Sequence, residues 1–270
     1  MPSLKDVKNK IASVQKTKQI TKAMNMVASA KLRKAQMRIE RFRPYAEKFY
    51  DLLGDLAGGV ETGVHPLLEV REEINKVGIM LITSDRGLCG AFNTNLIQLG
   101  KKLARQKASQ GKQVGFYCAG KKARDQIRKS EFEIIQEKVN CMDAFDFTLA
   151  AAFGDEIIRA YTDGELDEVH LVYGRFVRVA RQESTALQIL PVTQEEAGAG
   201  AGAGEASPVE PGAQYVYEPS VDGILSELLP RFVKVQIYRG MLETSASEHA
   251  ARMSAMDNAS NNCDDMISSL

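Results

Sequence analysis

The chain has 270 residues, with 35 lysines plus arginines against 35 aspartates plus glutamates, so its formal net charge is zero. That length suits one large domain or two small ones, far above disulfide-scaffold size, and the four cysteines (Cys89, Cys118, Cys141 and Cys263) include no Cys-x-x-Cys pair, so they read as reduced thiols. No window approaches roughly 18 uninterrupted apolar residues, which excludes a membrane-spanning helix, and Met1-Pro2-Ser3-Leu4-Lys5 has no signal-peptide pattern.

The neutral total hides an asymmetry. From Lys5 to Arg43 there are twelve basic residues and two acidic ones, Asp6 and Glu40. A one-sided block of this kind points to an acidic or polyanionic partner, either a protein or a nucleic acid. The same stretch carries an apolar seam stepping three then four residues: Leu4, Val7, Ile11, Val14, then Ala28, Leu32, Ala35, Ile39, Phe42, Ala46, Phe49, Leu53, Leu56. Lys18, Thr21 and Asn25 fill the polar gap in that seam. The 3.5-residue period is that of a coiled coil. A helix of about 50 residues runs roughly 75 Å at 1.5 Å per residue. It must therefore find a partner helix or protrude. Pro44 should kink it or begin a new helix.

A glycine-rich break follows, from Gly58 to Pro66. The apolar run Val77–Thr83 then reads as a buried parallel strand. After the turn Ser84–Phe92 come a helix near Asn93–Gln106, a strand at Val114–Cys118, a helix at Lys121–Lys129, a strand at Phe132–Ile135, a helix at Phe145–Tyr161 and a strand at Glu168–Tyr173. Phe176–Ala180 and Ser184–Leu190 alternate as an antiparallel hairpin extension. Strands and helices alternating at this spacing predict a layered, Rossmann-like α/β domain over 76–192.

Residues 193–214 are acidic and rich in Ala and Gly, the composition of a mobile surface loop that folding can do without. Gln214–Glu218 should return as a short aromatic strand, and Pro219-Ser220 should open the last helix. That helix repeats the three-four seam: Leu225, Leu228, Phe232, Val235, Arg239, Leu242, Ala246, His249, Met253, Met256, Ser260, Cys263, Ile267, Leu270. The expected architecture is an antiparallel intramolecular coiled coil of 1–57 with 215–270, flanking the α/β domain. The alternative pairs each helix with a second chain.

No catalytic constellation emerges. Gly87-Leu-Cys-Gly90 lacks the third glycine of the dinucleotide fingerprint, and Gly100-Lys-Lys102 and Gly120-Lys-Lys122 lack the rest of a P-loop; they read as solvated helix ends. Cys89 has no histidine near it in sequence and reads as a core thiol. Asp85-Arg86 reads as a brace for the turn. His65, His170 and His249 are too scattered for a recognisable metal site. No cofactor is expected.

Several stretches resemble one family. Lys10-Ile-Ala-Ser-Val-Gln15, Ile20-Thr-Lys-Ala-Met-Asn-Met-Val-Ala28 and Arg43-Pro-Tyr-Ala46 are similar to the N-terminal helix of the γ subunit of F-type ATP synthase. Thr83-Ser-Asp-Arg-Gly-Leu-Cys-Gly90 resembles that family's first turn. Tyr215-Val-Tyr-Glu-Pro219 and Ser247-Glu-His-Ala-Ala-Arg-Met-Ser-Ala-Met-Asp-Asn-Ala259 resemble its C-terminal helix. The resemblance covers the whole chain in order, and the family normally continues past the stretch matching Leu270.

The resemblance implies a non-catalytic rotor shaft inside a ring of three α and three β subunits, with the α/β body against the ε subunit and the membrane ring of c subunits. It implies that Lys22, Met24, Lys31, Arg33, Lys34, Arg38, Glu248 and Arg252 meet the β lever loops and the ring bearing, with the basic run Lys31, Arg33, Lys34 and Arg38 facing the acidic lever loops of β. Met26, Met253 and Met256 join Met24 as flexible apolar contacts, although seam packing explains Met253 and Met256 better. Tyr215, Tyr217 and Glu218 would form the foot contact with ε and the c ring. No cysteine-bearing insert of the plastid type is present, which favours a bacterial source and the cytoplasmic face of the inner membrane. The rival from another class is a nucleic-acid-binding protein with a basic coiled-coil arm. Against it, Phe42, Tyr45, Phe49 and Tyr50 lie beyond most of the basic block instead of interleaving with it.

Overall fold

The computed structural model describes residues 3–57, 65–71, 73–192 and 221–270. The chain opens with α1 (Leu4–Ala57) and a short 3-10 turn (Pro66–Leu68). There follow β1 (Lys76–Ile82), α2 (Phe92–Ala108), β2 (Gln113–Ala119), α3 (Lys121–Ile127), β3 (Glu133–Lys138), α4 (Phe147–Thr162), β4 (Glu168–Arg178), β5 (Arg181–Leu190) and α5 (Val221–Ser269). The Ala/Gly-rich stretch, the strand expected at 214–218 and the helix opening at Pro219-Ser220 lie outside the described residues.

α1 starts at a capping box. The Ser3 amide donates to the Asp6 carboxylate at 3.0 Å, and the Asp6 amide donates to Ser3 Oγ at 3.3 Å. Ser3 Oγ also donates to that carboxylate at 2.7 Å, and this bond, with the one from the Ser3 amide, holds the Asp6 carboxyl below its ordinary range. The expected second helix at Pro44 does not form: α1 runs through it as one 54-residue element. Packing on both sides of the proline supports it. Phe42 meets Tyr238 edge to face at 5.1 Å, and Tyr50 meets Phe232 at 5.8 Å.

α1 and α5 are antiparallel within one chain. Asp264 pairs with Lys18, Ser260 Oγ lies 2.7 Å from Thr21 Oγ1, and Asn25 Nδ2 donates to the Met253 carbonyl at 3.0 Å. The residue numbers fall on one helix as they rise on the other. The polar gap of the N-terminal seam is thus answered by polar partners, which fix the register. Farther along, Leu32 and Ala35 close on Ala246 and Ala250.

The sheet has the order β3-β2-β1-β4-β5, with β5 alone antiparallel. Alternate residues of its strands feed two cores. Val77, Ile79, Leu81, Phe116 and Cys118 face α2 and α3. Met80, Ile82, Tyr117, Leu171 and Tyr173 face α4, α5 and the far end of α1.

Two elements differ from expectation. β4 is a single 11-residue strand rather than a strand followed by a separate hairpin arm. Its first half pairs with β1, but beyond Val172 it pairs with β5 alone. The resulting arm reaches the helices, where Phe176 and Val179 pack on the Leu32–Ala246 cluster. α5 carries more than one buried stripe, since Thr244 through Ala250 are all buried. One side takes α1 and the other takes β4, where Thr244 Oγ1 accepts from the Gly174 amide at 3.0 Å and Ser247 Oγ donates to the Gly174 carbonyl at 3.0 Å. Small side chains on α5 and a glycine on β4 allow this approach. A Cβ at Gly174 would stand 2.7 Å from the Phe92 ring. Among the described residues, no helix is long and apolar enough to cross a membrane.

Candidate interaction surface

The basic residues of α1 divide into two sets. Lys22, Arg33 and Lys34 are exposed, and no ion pair engages them among the described residues. They share the outer surface with Ile20, Met26, Val27 and Met37, all exposed apolar side chains. Met24 is half-buried, Met253 is half-buried in the seam and Met256 is buried. This outward surface is basic and apolar together, with long flexible side chains.

The second set is engaged within the chain, Lys31 while its side chain stays 40% exposed. Lys31 Nζ lies 2.7 Å from Asp143. Arg38 donates to the Phe145 carbonyl at 2.7 Å while its guanidinium lies over the Phe145 ring at 4.2 Å. Glu248 and Arg252, expected to face a partner, are 5% and 9% exposed and pair with each other at 2.7 Å. Arg252 Nη2 also donates to the Gly87 carbonyl at 3.2 Å, and Nη1 lies 3.3 Å from His249 Nδ1. These contacts make Lys31, Arg38, Glu248 and Arg252 internal braces. Burial lowers the His249 pKa to about 4, aided by the Arg252 and Lys31 cations against Asp143. A neutral imidazole suits its place beside a guanidinium. Burial raises the Glu248 carboxyl, against the pull of Arg252. Tyr215, Tyr217 and Glu218 lie outside the described residues.

Sequence reasoning missed Asp143, which takes Lys31 on one side and Arg86 Nη2 at 3.0 Å on the other. Nothing local marks it, because Lys31 lies 112 positions away. Asp85 was legible as a brace, but its reach was not. Its carboxylate accepts from three backbone amides: Lys121 at 2.8 Å, Asn140 at 2.7 Å and Met142 at 2.9 Å.

That carboxylate also bears on nucleotide binding. In a doubly wound sheet, ligands bind where the strand order reverses, beyond the carboxyl ends of the strands, with phosphate on a helix N-terminus. Here the reversal falls between β1 and β4, whereas the helix start that this carboxylate caps is the neighbouring one, after β2. The first three amides of α3 are taken by Asp85 Oδ1, the Ser84 carbonyl and Thr83 Oγ1. Gly120, at φ +103°, lets β2 turn into α3 against Thr83; a Cβ there would fall 2.2 Å from the Thr83 carbonyl oxygen. The Gly120-Lys-Lys122 start is therefore a capped helix end, with Lys121 itself exposed. Asn93 closes the turn above it, accepting from the Ser84 amide at 3.0 Å and donating to Cys89 Sγ at 3.1 Å. Burial raises the Cys89 thiol pKa, as fits a core residue.

With this geometry in place, the likenesses to known proteins become specific. A family model described as ATP synthase matches residues 3–270. The ATP synthase gamma chain of Nitratidesulfovibrio vulgaris strain Hildenborough is 63% identical over 270 residues, covering 100% of this chain and 90% of that one. The gamma chain of Lawsonia intracellularis is 50% identical over 272 residues, with 100% and 91% coverage. Among solved structures, the central stalk and c ring of the Tetrahymena thermophila mitochondrial ATP synthase contains a chain with TM-score 0.64 and 25% identity, covering 89% of this chain and 99% of that one. A chain in the rotor of the Euglena gracilis mitochondrial ATP synthase has the same fold, with TM-score 0.62, 22% identity and coverage of 97% and 92%. Matched from Ser3 to Leu270, with its two long terminal helices paired, the chain belongs to the ATP synthase gamma chain family.

Proposed function

We propose that the chain is the central rotor shaft of an F-type ATP synthase, a non-catalytic subunit that couples ion flow through the c ring to ATP synthesis or hydrolysis on the α/β ring. The observation that carries this reading is the antiparallel pair of α1 and α5. It is a two-helix rod built from opposite ends of one chain, with Lys22, Arg33 and Lys34 outward and unpaired among the described residues. A shaft that turns inside a ring must be stiff, and its bearing surface must not hold on. Exposed charges that attract without fixed partners suit that need, because such pairs are weak individually yet steer approach.

In this reading Lys22, Arg33, Lys34 and Met24 meet the acidic lever loops of β and the bearing of the ring. The α/β body lies below, against ε and the c ring, with Tyr215, Tyr217 and Glu218 assigned to that foot on the resemblance of their motif. As a gamma chain, it is a peripheral part of a membrane complex. The bacterial relatives support the cytoplasmic face of a bacterial inner membrane. The nucleic-acid alternative loses its ground, since the family is one of ATP synthase chains and Lys18, Lys31 and Arg38 serve internal contacts.

The test is a crosslink. A cysteine replacing Lys34, paired with one in the acidic loop of β, should form a disulfide with a single β subunit at a time. Steady-state ATP turnover of the complex should stop and return with reductant. Undiminished turnover at near-complete crosslinking refutes the rotor reading.

A further inference from the structure

A rotor shaft must pass torque to its body, and two helices lying against a sheet can twist on it unless something ties them. Both helices grip one small unit of the body: the first turn, 83–90, with the loop between β3 and α4, 139–146. α1 holds the loop through Lys31 to Asp143 at 2.7 Å and Arg38 to the Phe145 carbonyl at 2.7 Å. α5 holds the turn through Arg252 to the Gly87 carbonyl at 3.2 Å. The turn and the loop are joined by Asp85, whose carboxylate accepts from the Asn140 and Met142 amides, and beside it by Arg86 to Asp143 at 3.0 Å. The contacts close a circuit: α1, loop, Asp85, turn, Arg252, α5, and back to α1 across the seam.

The individual ties differ in kind. Lys31–Asp143 and Arg86–Asp143 are half-exposed or exposed ion pairs, worth little alone. Three amide bonds to one carboxylate are charge-assisted and geometrically specific. Arg252 is buried, so its grip on Gly87 excludes water. Losing one surface ion pair leaves the circuit closed, whereas losing Asp85 leaves turn and loop joined through polar contacts only by the exposed Arg86–Asp143 pair. We propose that Asp85 is a positioning residue for torque transfer, fixing the 139–146 loop so that α1 and the α/β body turn as one, while Arg252 fixes the same unit to α5. This rests on the rotor-shaft reading.

The competing role for Asp85 is local: capping α3 through the Lys121 amide and nothing more. The two roles separate in a single-molecule measurement on the assembled complex. The α/β ring is fixed to glass, and a bead is held by a biotin-acceptor peptide inserted at the exposed turn carrying Gly111. The angular variance of the bead is recorded while the complex waits for ATP. If Asp85 carries half of the stiffness between α1 and the body, Asp85→Ala should raise that variance about twofold. Arg252→Lys keeps a cation beside Glu248 but loses the two-pronged reach to Gly87, and should widen the variance in the same direction. A local cap predicts a lower melting temperature with unchanged variance, which overturns the proposal. If Asp85→Ala does not assemble, Arg252→Lys decides, and an unchanged variance there overturns it too. A native complex whose bead never steps relative to the ring would instead count against the rotor reading itself.

Discussion

Leu32 and Lys34 stand two positions apart on α1 in opposite surroundings. Leu32 is 4% exposed between Ala246 and Ala250, whereas Lys34 is solvated. Leu32→Asp puts a charge into the seam and should cost several kcal/mol, on the order of 3. Lys34→Asp should cost under about 0.5 kcal/mol as an ordinary surface change. Thermal unfolding of the two variants checks this, and equal losses would mean the seam is misplaced. His249 supplies a pH test. Its imidazole takes a proton below about 4 in the folded chain, against 6.5 for a free side chain, so the unfolded state binds more protons between those values. Its contribution therefore falls as pH drops from 6.5 to 4, by up to about 3 kcal/mol, and is flat below that. Glu248, raised by burial, works in the opposite sense. The readout is accordingly the difference made by His249→Gln, which should remove the acid-side loss while keeping an acceptor for Arg252. The sequence separated Lys22, Arg33 and Lys34 from Lys31 and Arg38 in no way. All five carry the same chemistry on one helix, and only Asp143 and Phe145, more than a hundred positions downstream, engage two of them within the chain.

At the scale of elements, periodicity carried the most information. The three-four seam is a direct image of helix pairing, and even its polar gap at Lys18, Thr21 and Asn25 anticipated a polar stretch on the opposite helix. The continuous apolar run at β1 likewise announced burial on both faces. What the pattern hid was the second face of α5. Serines, threonines and alanines register as weakly polar in sequence, yet their small size lets the helix press against β4. Gly174 is the matching concession on the strand. Gly174→Ala would drive a methyl group into the Phe92 ring and should destabilise the chain by about 1–3 kcal/mol. Adding Phe92→Leu should recover part of that loss. Thermal unfolding of both variants tests it, and an unaffected single variant would show that α2 can yield.

For the molecule as a whole, the fold is a doubly wound sheet in which the start of α3 is occupied by the chain itself. Asp85, Ser84 and Thr83 take the helix amides that would otherwise meet phosphate. The purified chain should accordingly show no ATP hydrolysis. Turnover that survives re-purification and disappears on changing Gly87 or Lys121 would contradict this. The missing glycine fingerprint already pointed that way, but the capped α3 amides did not, because Asp85 and Thr83 reach them across 36 and 40 positions.

The pairing of opposite ends also sets an order of events during synthesis. Thr21 and Ser260 meet across 239 positions, and the partner of α1 follows the whole α/β body in chain order. A ribosome releases α1 well before its seam partner, so the first helix waits uncovered while the strands emerge. Throughout that interval Leu32 and Ala35 lie bare on the seam face. A message truncated before Val221 would leave bare both that seam and the sheet face that α5 covers, a product with no shaft and a strong tendency to aggregate.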